Sequence, residues 1–176
     1  MTSDRVCRGR TRCPDHGGFT DLDLLPRAGR GFGEDTVLGT AVARRTGAGF
    51  AADAVVRHRW VPSDYQGYLD AHARLQAMPA LLRLVPELRQ RCYLGVFRNR
   101  RSATCDLALA GLALAGFSGR KRYAAAALPW LVMLSQSAAE RWGRPRPVRM
   151  AQEAVADVVA TGALVTGSIR SGTPVL

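Results

Sequence analysis

Lysine is nearly absent from this chain: of its 25 basic residues only Lys121 is not arginine. Cysteine is also sparse, and the four present, Cys7, Cys13, Cys92 and Cys105, form no C-x-x-C pair. They do not look like a disulfide framework for a chain of 176 residues and read as reduced, intracellular thiols. Cys7, Cys13 and His16 could stand as zinc ligands, yet no second half of such a site follows at a familiar spacing. Long apolar runs are missing as well. The two longest, 107–117 and 124–134, are eleven residues each, short of the roughly 20 that a membrane-crossing helix needs. The Arg-rich first residues have no apolar stretch of signal-peptide length behind them, so secretion is not indicated and a cytoplasmic location is expected.

What is abundant is positive charge. Against 14 acidic residues the basic ones leave a formal charge of +11, which favours anionic partners such as nucleic acid, acidic lipid or phosphorylated substrates. A biased Arg, Ala, Gly and Val composition accounts for the same charge, so charge alone selects no partner. No nucleic-acid-binding signature accompanies it, and no specific nucleic acid is expected. The apolar content is enough for a sizeable core in one ordinary domain.

Residues 1–15 carry no helical or strand periodicity and read as an unstructured basic arm or as residue from a misplaced start. Gly17-Gly18-Phe19 then suggests a tight turn or a close backbone approach to a ligand. Asp21-Leu22-Asp23 is an Asp-x-Asp, a pattern able to hold a divalent cation through oxygen but also common by chance. From Glu34 to Thr46, Val37, Leu38, Ala41 and Val42 recur at helical spacing, Arg44 and Arg45 fall in the last turn, and Gly47 is placed to stop the helix. Glu34 and Asp35 occupy its first turn, where exposed amides and the helix dipole favour carboxylates; capping and catalysis are both open. Gly49 to His58 reads as a short strand with Phe50, Ala54, Val55 and Val56 as its apolar part.

Taken in order, Gly17-Gly18-Phe19, Gly33-Glu34-Asp35-x-x-Leu38-Gly39 and Asp53-Ala54-Val55-Val56-Arg57-His58 resemble the acceptor-side half of family 2 glycosyltransferases over about 45 residues. The resemblance implies an α/β remnant of the A-type glycosyltransferase fold over 16–62, followed by a mainly α-helical C-terminal region over 63–176. It implies transfer of a sugar from a nucleotide sugar to an acceptor hydroxyl. Asp35 would be the general base and Glu34 its support, with Gly17, Gly18 and Phe19 lining the acceptor cleft and His58 approaching the metal and diphosphate. A carboxylate suits the base role because it can take the hydroxyl proton as the oxygen attacks. The family also implies a divalent metal, Mg or Mn. Members place a donor-binding half with an Asp-x-Asp before this point, whereas Asp21 and Asp23 lie after the Gly-Gly-Phe turn; an N-terminally truncated form is therefore expected, inactive alone unless a partner supplies the donor half.

Beyond Pro62, Ser63 or Asp64 can cap a helix running to about Met78, and Pro79 opens a second, Ala80 to Arg91. The runs 107–117 and 124–134, joined by Ser118-Gly119-Arg120-Lys121-Arg122, form an apolar hairpin. Core helices, a shallow membrane hairpin and a spanning pair are all open for it, with Pro129 expected to kink the second helix. In the last helix, Val148 to about Thr166, the side bearing Val148, Ala151, Val155, Val158, Val159, Gly162 and Val165 is expected to pack on the hairpin, with Glu153 and Asp157 elsewhere. The tail 167–176 reads as loose. The competing function is a non-enzymatic basic module that docks at the inner face of an anionic membrane.

Overall fold

Apolar residues spaced three and four apart, with Gly or Pro at the breaks, dictate helices along most of the chain, and helices are what form. The computed structural model describes residues 32–47, 49, 64–142 and 146–176. The chain divides into two units, Met1–Trp60 and Val61–Leu176. In the first, α1 spans Glu34–Thr46, the residues its periodicity predicts, and ends where the Gly47 amide donates to the Ala43 carbonyl at 2.9 Å. Gly47 there has φ 78°, a left-handed angle that costs glycine nothing.

The second unit holds α2 (Tyr65–Ala73), α3 (Met78–Leu84), α4 (Arg100–Ser118), α5 (Leu128–Trp142) and α6 (Pro147–Ser171). Short 3-10 turns at Arg74–Ala77, Pro86–Arg91 and Lys121–Ala127 join them. Asp64 caps α2, its carboxylate accepting from the Gly67 amide at 2.8 Å. Asn99 and Ser102 cap α4 reciprocally: Asn99 Oδ1 accepts from the Ser102 amide at 2.9 Å, and Ser102 Oγ from the Asn99 amide at 3.2 Å.

Two apolar clusters form the core. Cys105, Ala108, Ala127, Trp130 and Leu134 make one, joined by Met150 and Ala154 of α6. Leu82, Leu164 and Val175 make the other, with Leu75, Met78 and Leu88 against it. Helix α6 contributes to both, and each large side chain buried this way stabilises the fold by about 1.5–3 kcal/mol. The approach of α6 to the turn at Arg74–Ala77 is close enough that Gly167 rests on the Gln76 backbone carbonyl, and on α4 a Cβ on Gly111 would lie 2.6 Å from that of Ala126 in the Lys121–Ala127 turn.

Several expectations are corrected here. The α/β remnant of the A-type fold is not what the structure has: 82% of the described residues are helical and none lies in a strand. Among the described residues the nearest thing to β structure is an isolated bridge between Tyr93 and Phe97 that closes a tight turn. The physical reason is periodicity: in α1 (Val37, Leu38, Ala41, Val42) and α6 (Val148, Ala151, Val155, Val158) apolar positions recur three and four apart and do not alternate as a half-buried strand requires. The strand expected over 49–58 lies, but for Gly49, outside the described residues. Pro129 sits in the first turn of α5 instead of kinking a longer helix, because proline's missing N–H has no intrahelical partner to lose there. The tail is held firmly: Val175 is fully buried, the Leu176 amide donates to the Val96 carbonyl at 3.0 Å, and the Arg98 amide donates to the Leu176 carbonyl at 2.6 Å.

The largest correction concerns α6. Its valine side, expected to pack on the hairpin, faces solvent at Val148, Val155, Val158 and Val165. The opposite side, Glu153, Ala156, Ala160, Leu164 and Gly167, is buried.

Candidate functional site

Glu34 and Asp35 open α1, as their place in the first turn predicts. Gly33 precedes them at φ 79° and, having no side chain, caps nothing. Asp35 instead accepts from the next residue, its Oδ1 lying 2.8 Å from the Thr36 amide and 3.4 Å from the Thr36 hydroxyl. Its side chain is exposed and that of Glu34 half-buried. The capping role is therefore visible in the geometry, and a carboxylate so placed still presents lone pairs to an incoming hydroxyl. Gly17, Gly18, Phe19 and His58 lie outside the described residues, as do Asp21 and Asp23. Among the described residues no group of three or more His, Cys, Asp or Glu side chains gathers to hold a cation. His58, which the resemblance places near the metal and diphosphate, is not among them.

A second polar constellation lies in the helical unit. Arg101, in the first turn of α4, places Nη2 2.9 Å from Glu153 Oε2 and Nε 2.9 Å from Asp157 Oδ2. Trp130 of α5 donates its indole N–H to the same Asp157 oxygen at 2.9 Å. Tyr68 of α2 donates to Glu153, its hydroxyl 3.2 Å from each carboxylate oxygen. Four helices thus meet on two carboxylates one turn apart on α6, and Glu153 is only 4% exposed.

The electrostatics follow from that burial. Desolvation would lower the Arg101 guanidinium, but Asp157 and Glu153 outweigh it and hold the group above its ordinary range. Arg98 goes the other way: burial lowers it more than the nearby Asp157 raises it. On the next turn of α4, burial pushes the Cys105 thiol up to about 11, so it is an inert apolar filler rather than a nucleophile. Burial also raises the Asp106 carboxyl, against the opposing pull of the Thr161 hydroxyl that donates to its Oδ1 at 2.9 Å. Its other oxygen is buried and accepts no hydrogen bond.

This cluster escapes a pattern-based reading because Glu153 and Asp157 interrupt an apolar helix and are assigned by default to water. The signal that finds them is their spacing: two like charges four residues apart repel on an exposed helix face unless a cation sits between them. Ion-paired and hydrogen-bonded, they tie α2, α4 and α5 to α6. Comparison with known protein families, characterised proteins and solved structures yields no match for the chain.

Proposed function

We propose that the chain serves the acceptor side of a sugar transfer from a nucleotide sugar to a hydroxyl, with Asp35 as general base. The observation that supports this reading is the placement of Asp35: exposed, in the first turn of the helix that carries Glu34-Asp35-x-x-Leu38. In the reaction Asp35 takes the acceptor hydroxyl proton while that oxygen attacks the anomeric carbon. The bond from that carbon to the diphosphate oxygen breaks, and the nucleoside diphosphate leaves with the electron pair. By the same resemblance Glu34 supports the acceptor, and Gly17, Gly18 and Phe19 are the residues assigned to its binding. The donor is held by a further segment or a partner.

Asp35→Asn separates the capping role from the catalytic one, since asparagine can still accept from the Thr36 amide but cannot take a proton. In source cells deleted for the chain and complemented with either form, membranes and cytosol are supplied with radiolabelled nucleotide sugars. The wild-type chain is expected to restore incorporation into an acceptor, and Asp35→Asn to lower it by about 10²–10⁴-fold with unchanged helix content by circular dichroism. Equal incorporation by the two forms sinks the base assignment, and no chain-dependent incorporation from any nucleotide sugar sinks the reading itself.

A further inference from the structure

Helix α6 has its polarity reversed relative to a helix at the surface of a soluble protein. Val148, Ala151, Val155, Val158, Gly162 and Val165, spaced alternately three and four apart, are all exposed, and Ile169 continues the seam at 78% exposure. At 25 residues the helix is about 37 Å long, and the seam runs nearly its whole length. Helix α4 repeats the arrangement: Leu107, Ala110, Leu114 and Phe117 share one helical face and are exposed, Phe117 to 93%. On α5, Leu128, Leu131 and Val132 are exposed as well. The acidic side chains of α6's middle, Glu153 and Asp157, point the other way, into Arg101. Soluble monomers rarely leave apolar stripes of this extent open.

Cations stand at the ends of these stripes. Arg120, Lys121 and Arg122 are exposed in the turn after Phe117, Arg146 is exposed just before α6, and Arg170 is exposed in its last turn. Outward apolar faces on three helices, each directed away from the neighbours that its own helix packs on, with arginines at the helix ends, match a phase of two zones: acyl chains for Leu, Val and Phe, and phosphates for the guanidinium groups. No described helix is long and apolar enough to cross a membrane, so the fit is to the boundary of the bilayer and not to its full thickness.

We propose that residues 61–176 seat in the headgroup–acyl boundary of an anionic bilayer through the outward faces of α4, α5 and α6, with Arg120, Lys121 and Arg122 on lipid phosphates. The assignment does not rest on the sugar-transfer reading, and its test measures no transfer.

The test is flotation of the full chain with vesicles of phosphatidylcholine alone and of phosphatidylcholine mixed with phosphatidylglycerol. Binding to the mixed vesicles is expected, weakening as salt rises from about 0.05 M to about 0.5 M. Reversing Arg120, Lys121 and Arg122 together to Glu should lower it about a hundredfold. Leu114→Asp with Phe117→Asp, and separately Val158→Asp, should each lower it about tenfold or more. All of these positions are exposed or at a turn, and helix content by circular dichroism should stay at the wild-type level. Failure to float with either vesicle, or equal flotation by the variants, overturns the proposal. So does a concentration-dependent dimer in sedimentation equilibrium that Val158→Asp dissolves, since a second copy would then occupy the seam.

Discussion

Arg101→Met is expected to destabilise the helical unit by about 3–5 kcal/mol in equilibrium denaturation followed by circular dichroism. The guanidinium joins Glu153 and Asp157 at 2.9 Å each, and the three side chains retain only 19%, 5% and 13% of their exposure. Solvent therefore screens the contacts little. Removing the cation leaves two carboxylates one helical turn apart in the interior, each of which must then be ionised without its partner or take up a proton. The loss measures that uncompensated burial and not the net worth of the pair, because ionising three groups in water is itself favourable. The discriminating variant replaces Arg101 with Met, Glu153 with Leu and Asp157 with Leu together. It should recover part of the stability that Arg101→Met loses, since no charge is left unpaired while the Tyr68 hydroxyl and the Trp130 indole N–H lose their acceptors. A loss below about 1 kcal/mol for Arg101→Met would mean that water reaches the carboxylates, contrary to the burial described.

Trp130→Ala is expected to cost about 3–5 kcal/mol, by two routes that can be separated. The indole is 9% exposed and packs with Cys105, Ala108, Ala127 and Leu134, so its removal opens a cavity between α4 and α5. It also takes away the N–H that donates to Asp157 Oδ2 at 2.9 Å. Trp130→Phe keeps most of the volume and removes only the donor, and should cost about 1.5–3 kcal/mol, the range for a hydrogen bond to a charged group. In an Asp157→Leu background the donor has no carboxylate to serve, and the Trp130→Phe penalty should shrink by about 1 kcal/mol or more; strict additivity would show that indole and carboxylate do not interact.

Much of the described helical structure is legible from residue pattern. The bounds of α1 follow from Val37, Leu38, Ala41, Val42 and the stop at Gly47; Asp64 as the cap of α2 and the helical character of both hairpin arms follow from the same rules. What misleads is the assumption that the apolar side of a helix is the buried side. In α6 the seam at Val155 and Val158 is the stronger periodic signal, and it points outward, while the buried side is built from Ala156, Ala160 and Gly167, small residues chosen for close approach and nearly silent in an apolarity pattern. Val175 is misread for a related reason: Gly172 and Pro174 look like loop punctuation, yet the turn they make, with Gly172 at φ 64°, folds the tail back to fill the space beside Leu82 and Leu164. At the candidate site, the place of Glu34 and Asp35 in a helix start is readable, whereas the meeting of Arg101, Trp130 and Tyr68 on α6 depends on tertiary packing that no local spacing encodes.

The orientation of α6 underlies both the ion cluster and the bilayer assignment, and peptide-resolved thiol alkylation reads it directly. Val158→Cys and Leu164→Cys place a thiol on the outward seam and on the buried side of the same helix, and mass spectrometry separates each from the native cysteines. In water, position 158 should react about a hundredfold faster than position 164, whose thiol is reached only through unfolding. On vesicles containing phosphatidylglycerol, position 158 should become protected while position 164 is unchanged. Rapid reaction at 164 with protection of 158 in water would place the valine seam inside and Glu153 and Asp157 outside, and would contradict the account.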